Sequence, residues 1–558
     1  TYLCGNKVDT ITKGQESITY GYDGSLVTAE NLSGTLTDGL SYGYDEDFNL
    51  ASFTYAGATI SYSYDNDGLL TGAGSLTIGR NAANGLPESV AGGALNLSRT
   101  FNGYGEVGGQ DFTVDGQDLT SWSLTRDNAG RITAKTETIN GVTSHYSYTY
   151  DPMGRLRTVI KDGTLVEEYQ YDSVGTRTYE VNAPRGITGR SMTYDDEDHL
   201  LSAGDGVYQY DVDGYLTSRT VGTEPPYAVT SYLYSSRGEL LRVNLPSGRV
   251  IQYDHDPLGR RIAKKVDGII TEKYLWQGLT RLLAVYDGTG NLLMRFLYAD
   301  GRMPVAVERG TALYYLTYDQ VGTLRVVAAG SGSVVKRLDY DAFGNILTDT
   351  NPALDVPFGF AGGLHDRDTG LVRFGFRDYD PDTSRWTTKD PILFAGGNVD
   401  LYSYCLNDPI NWVDPSGQFG GAGFVVGIFA GAYGGFLTGI QQGDILTGVF
   451  AAATGAMVGG LVGIVAPHLS ATVGGMVGGV VGGMAGATLS VYSSNPCPSP
   501  RDYAKALLKG GLIGGVTGFM GGGMVASAAT VGATGAAVHV GGAMFAAPIG
   551  WGLKMIDF

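Results

Sequence analysis

The sequence predicts a mainly β protein, a large spiral sheet of short hairpins, followed by a glycine-rich, hydrophobic tail predicted to be mostly α-helical. Three observations carry this reading. A Tyr-x-Tyr-Asp-x-x-Gly unit recurs along most of the chain. Glycine (87) and tyrosine (36) are abundant among 558 residues while charged residues make up only 17%, below the usual quarter. From residue 419 onward the tyrosine-rich pattern stops and apolar residues punctuated by glycine replace it.

The repeat dictates its own local structure. Clear copies hold Tyr62, Tyr64, Asp65 and Gly68; Tyr148, Tyr150, Asp151 and Gly154; Tyr208, Tyr210, Asp211 and Gly214; and Tyr340, Asp341 and Gly344. Weaker copies start at Tyr20, Tyr42, Tyr171 and Tyr253. Side chains alternate along a strand, so Tyr-x-Tyr puts both rings on one face. The aspartate can fold onto backbone N–H groups and the glycine can take the positive φ of a tight turn. A new strand follows, as at Leu156 to Ile160. Such a unit cannot bury its own face, so copies about 20 residues apart are expected to stack into one coiling sheet. A propeller would repeat every 40–50 residues or so, and no such period is present. The less regular stretch 72–118 is read as irregular repeats of the same sheet.

Composition bounds the function. A formal charge of −18 opposes nucleic-acid binding, which needs a basic face. Beyond residue 418 four basic and three acidic residues leave +1, so residues 1–417 carry −19. Cys4, Cys405 and Cys497 show no metal or disulfide spacing, and no cofactor or metal is expected. The start at Thr1 suggests a piece of a longer precursor.

The Tyr-Asp array over roughly residues 15–417 resembles the Rhs/YD-repeat family, which includes bacterial Rhs effectors, the C component of insecticidal Tc toxins and the teneurins. That resemblance implies a hollow, cocoon-like shell enclosing the segment that follows it. It divides the chain into a shell (1–313), a core module (314–418) and a toxin tail (419–558). The module's signature runs through Arg377-Asp378-Tyr-Asp-Pro, Trp386-Thr-Thr-Lys-Asp390-Pro and Asn411-Trp-Val-Asp414-Pro-Ser-Gly417. It is similar to the Rhs repeat-associated core, an intramolecular aspartyl protease. By that resemblance Asp390 and Asp414 are the catalytic pair, Asp378 and Arg377 a further acid and base near the cut, and the cut falls between Gln418 and Phe419. Where the family usually carries Leu after the glycine, this chain has Gln418. Two carboxylates in one site do not both ionise cheaply, so one is expected to hold a proton and serve as acid. Asp-Pro is also a plain turn former.

In the tail, Gly423, Gly427, Gly431, Gly435, Gly439 and Gly443 recur every four residues. So do Gly474, Gly478, Gly482 and Gly486, and again Gly510, Gly514, Gly518 and Gly522. Glycines at this spacing line one side of a helix and let a second helix approach. So much glycine disfavours helices in water, but a bilayer enforces them. Helices are expected near 421–441, 445–465, 470–492, 506–527 and 531–553, forming a glycine-zippered, pore-forming toxin. The resemblance implies a secreted or delivered antibacterial effector, a type VI secretion effector in interbacterial competition. Its partners would be its own cleaved tail, the delivery machinery and a chaperone, a cognate immunity protein, and lipids of the target cell's inner membrane, which it depolarises. The rivals are an enzymatic toxin tail and a non-toxic adhesion protein of teneurin type.

Overall fold

The computed structural model describes residues 1–3 and 7–418. The expected tail helices, their glycine zippers and Phe419 lie outside the described residues. Two compact units divide the chain. The first holds Thr1, Asp9–Pro391 and Tyr402–Gly417; the described residues of the second are 2–3, 7–8, 392–401 and 418.

The spiral-sheet expectation is met. Among the described residues, 33 strands from Thr10–Lys13 to Ile346–Asp349 form one sheet. Each strand pairs antiparallel with the next in sequence, as Val142–Tyr150 does with Leu156–Lys161 and that strand with Thr164–Tyr171. The stretch 72–118 continues the same meander. The sheet also runs on past residue 313, through Ala312–Tyr318, Leu324–Ala329 and Val334–Tyr340, so the change of architecture falls after Asp349.

The motif explains the hairpin. At Asp151 the backbone N–H donates to the Arg155 carbonyl (2.9 Å) and Gly154 N–H returns to the Asp151 carbonyl (3.0 Å). One carboxylate oxygen accepts the N–H groups of Met153 (2.9 Å) and Arg155 (3.0 Å). The other receives Arg155 Nε at 2.5 Å. Gly154 sits at φ +90°, a conformation glycine adopts without strain. The same carboxylate bonds recur at Asp65, Asp211, Asp256, Asp319 and Asp341. Asn102 and Ser235 make them with an amide and a hydroxyl oxygen.

The two tyrosines divide the labour. The first is buried, as at Tyr148 and Tyr208. The second sits at a register shift beside the turn, as at Tyr64, Tyr150, Tyr171 and Tyr210. A bulge of this kind increases local twist. The second ring also reaches back: the hydroxyls of Tyr150, Tyr171 and Tyr194 donate to the carbonyls of Ile132 (2.6 Å), Leu156 (2.8 Å) and Arg177 (2.7 Å).

Repeated twist brings distant strands together. Tyr55 donates to the Phe296 carbonyl across 241 residues, Ala94 N–H to the Tyr315 hydroxyl across 221, and Trp122 Nε1 to the Tyr318 carbonyl across 196. Arg325 then meets Glu137 across 188 and Asn182 meets Asp341 across 159. Partners advance along both strands together, as successive turns of a spiral require. Phe53, Tyr55, Leu283, Phe296, Leu316 and Phe358 fill the core between them.

After Asp349 the chain laces across the hairpins already laid down. Lys264 pairs with Asp366 (2.9 Å), Arg261 with Asp378 (2.7 Å), and Tyr379 donates to the Phe343 carbonyl (2.8 Å). Asp382 gathers Arg185, Arg190 (2.8 Å) and Arg219 (2.5 Å), which come from separate parts of the meander. Burial would raise the Asp382 carboxyl, but Arg190, Arg219 and Arg185 outweigh it and hold it well below the usual carboxylate range.

Replacing Asp382 by Asn takes the carboxylate from Arg219 and leaves Arg190 and Arg185 to share Glu180, and is expected to cost about 3 kcal/mol, seen as a lower thermal unfolding midpoint. The folded carboxyl is depressed, so its contribution is complete above about pH 4 and lost as pH falls toward the folded value. The gap between wild type and Asp382→Asn should therefore narrow in acid.

Candidate active site

Four short strands, Leu364–His365, Val372–Phe374, Arg377–Asp380 and Arg385–Trp386, form a separate small sheet. Arg377 and Asp378 are neighbours on one strand and so face opposite ways. Arg377 Nη2 lies 2.7 Å from Asp390 Oδ2 and 3.5 Å from Asp414 Oδ2. Its Nε donates to the carbonyl of Gly417. Its guanidinium carbon stands 4.2 Å from the centroid of the Trp386 ring. Asp414 is 0% exposed, and Arg377, Asp390 and Trp386 are buried with it.

Three of the four residues expected to act together therefore meet. Asp378 does not join them. Its carboxylate takes Arg261 Nη2 and Arg373 Nη1, each at 2.7 Å, and its carbonyl accepts Thr387 N–H at 2.9 Å. It fixes the back of the strand on which Arg377 stands. The carboxylate pair also differs from the isolated dyad expected of two adjacent acids, because a shared cation offsets their repulsion. Burial pushes the Arg377 pKa down, opposed by Asp390 and Asp414, yet a guanidinium stays charged.

The segment Asp414-Pro415-Ser416-Gly417 lies against the turn that joins Val372–Phe374 to Arg377–Asp380. Phe376 N–H donates to the Ser416 carbonyl (2.9 Å) and Ser416 Oγ to Asp414 Oδ1 (3.0 Å). A Cβ on Gly417, at φ +69°, would lie 2.6 Å from the Phe374 carbonyl oxygen, and one on Gly375 would lie 2.4 Å from that of Ser416. Only glycine fits at either place. Cys405 is buried here too; burial pushes its thiol well up, and Asp414 adds to the shift. A thiol so held is not a nucleophile at neutral pH. Gln418 is half-buried. Among the described residues no group of His, Cys, Asp and Glu could hold a metal ion.

This sheet and its turn chemistry match a known family. Residues 6–410 fit the model of the Teneurin YD-shell. The chain belongs to the Teneurin YD-shell family. Teneurin-3 of Danio rerio is 30% identical over 339 residues, covering 58% of this chain and 12% of its own length. The YD-shell is shared with a bacterial toxin: Double-stranded DNA deaminase toxin A of Burkholderia cenocepacia (strain H111) is 29% identical over 332 residues, 53% of this chain and 22% of that protein. This YD-shell thus spans only a small part of these relatives' length. The crystal structure of TcdB2-TccC3 has the same fold (TM-score 0.52, 16% identity, 75% of this chain and 24% of that one). So does the Photorhabdus luminescens Tc holotoxin pore (TM-score 0.51, 16% identity, 75% and 23%).

Trp386 lies against the central arginine and Gly375 makes room for the segment Asp414–Gly417, although neither is among the site residues the sequence points to. The only available signal was their closeness in sequence to Arg377. Gly417→Ala should lift the segment off the sheet at a cost of about 1–3 kcal/mol. Hydrogen exchange at the Phe376 amide reads this directly: the variant should lose protection there while the hairpin amides near Asp151 keep theirs.

Proposed function

We propose that the chain is the shell-and-cutter portion of a delivered antibacterial effector, whose Asp390–Asp414 pair cuts its own backbone between Gln418 and Phe419. The supporting observation is that one guanidinium, Arg377, holds both carboxylates and the carbonyl of Gly417. The clamp thus sits one residue upstream of the bond to be cut. In the reaction, water adds to the Gln418 carbonyl carbon and gives its proton to one carboxylate. The other carboxyl, protonated at the start, gives its proton to the departing Phe419 nitrogen. The products are a Gln418 carboxylate and a Phe419 amine, with the pair ready for no second substrate.

Released residues 419–558 then act as the toxin. Glycine faces at four-residue spacing allow close helix packing in a bilayer, and the long apolar run between Asp444 and Arg501 gives room for two spans of about 20 residues. An enzymatic tail is the rival, since a relative bears the name of a deaminase toxin. Enzymes need clustered polar groups, whereas this tail holds His468, His539 and seven scattered charges. Shelter inside the shell keeps such a tail from aggregating in water. The delivery machinery, a chaperone, an immunity protein and inner-membrane lipids complete the partner set of this reading.

Intact-mass measurement decides the cut. Wild type should yield two fragments dividing at Gln418/Phe419, while Asp390→Asn and Asp414→Asn should each remain one uncut species. An uncut wild type sinks the protease. For the toxin, residues 419–558 sent to the periplasm should collapse the membrane potential; normal potential with confirmed expression would count against a pore.

A further inference from the structure

The guanidinium of Arg377 has three tasks and one long contact. Nη2 reaches Asp390 at 2.7 Å but Asp414 only at 3.5 Å, while Nε serves the Gly417 carbonyl. A small rotation of the fork about its own axis would keep one of these and lose the others. Something must fix its plane. Beneath it lies the indole of Trp386, 4.2 Å from the guanidinium carbon. That indole is itself buried and packed: Phe374, Tyr379 and Tyr404 box it at centroid distances of 5.8, 5.7 and 5.5 Å, and its strand pairs with Tyr379.

The indole N–H is buried yet makes no hydrogen bond. Burying an unpaired donor is costly, and phenylalanine would avoid the cost, so packing alone does not account for tryptophan here. What tryptophan offers over other rings is the strongest face for a cation. We propose that Trp386 is a positioning residue whose indole face sets the plane of the Arg377 guanidinium, so that one fork holds Asp390, Asp414 and the Gly417 carbonyl together. This rests on the self-cleavage reading above.

Fluorinated tryptophans test it without changing the shape of the core. With one to four fluorines placed on residue 386 of the full chain, the ring face weakens stepwise. Self-cleavage, followed by intact mass in pulse-labelled cell-free synthesis, should slow at each step. Trp386→Leu, which removes the face, should slow it about 10²-fold, the scale of a misplaced catalytic group. Trp386→Phe, which keeps a weaker face, should fall between wild type and Trp386→Leu. An unchanged rate across the fluorine series overturns the proposal, as does Trp386→Phe being as slow as Trp386→Leu. Should wild type itself stay uncut, the self-cleavage reading falls separately. The clamp is then judged by hydrogen exchange at the Phe376 amide: protection falling with fluorination supports it, and equal protection throughout overturns it.

Discussion

A side-chain oxygen at the turn, most often an aspartate carboxylate, closes many of the hairpins of this sheet. A tight turn leaves N–H groups with no strand partner, and buried or half-buried donors of that kind are expensive. In many repeats the aspartate takes two of them with one oxygen, and at some the other oxygen holds the side chain after the glycine, as Asp151 does for Met153, Arg155 and the Arg155 guanidinium. The turn is thereby fixed in length, which fixes the register shift at the second tyrosine, which in turn adds twist. Curvature of the whole sheet is this small step repeated.

The inner chemistry of the sheet differs sharply from its exposed side. Aromatic and aliphatic residues fill the buried face, while exposed positions carry hydroxyl pairs across strands, such as Thr138 with Thr143 (2.9 Å) and Thr149 with Thr158 (2.6 Å). Many of the buried charges stand in pairs or clusters. Asp366 and Asp382 each meet at least two cations or hydrogen-bond donors from earlier hairpins, and Asp378 meets Arg261 from one and Arg373 from its own small sheet. The same rule shapes the candidate site, where Arg377 reconciles two buried acids.

Much of this was legible in the sequence because the information is local. Tyr-x-Tyr-Asp-x-x-Gly encodes strand, turn and strand within seven positions, so hairpins and their stacking follow from spacing alone. Asn102 and Ser235 hide two turns from a search for aspartate, although their oxygens do the same work. The limit of the sheet was harder to see, because the repeats from Tyr314 to Asn345 adjoin the module's signature without any break in composition. At the site, Asp390, Asp414 and Arg377 stand out by resemblance, but pairing is a property of three dimensions. Strand alternation sends Arg377 to one side and Asp378 to the other, and Arg261, from a hairpin 117 residues earlier, claims the latter.

Each strand of the meander finds its partner in the strand made just before it. The sheet can therefore lengthen in the order of synthesis, every new hairpin closing a loop of only a few residues as it leaves the ribosome. Contacts between turns of the spiral come later, some 160 to 250 residues behind the growing end. Last of all comes the lacing by Asp366, Asp378 and Asp382. Assembly of the candidate site is in this way postponed until the wall it rests on has been built, and the fold itself keeps time.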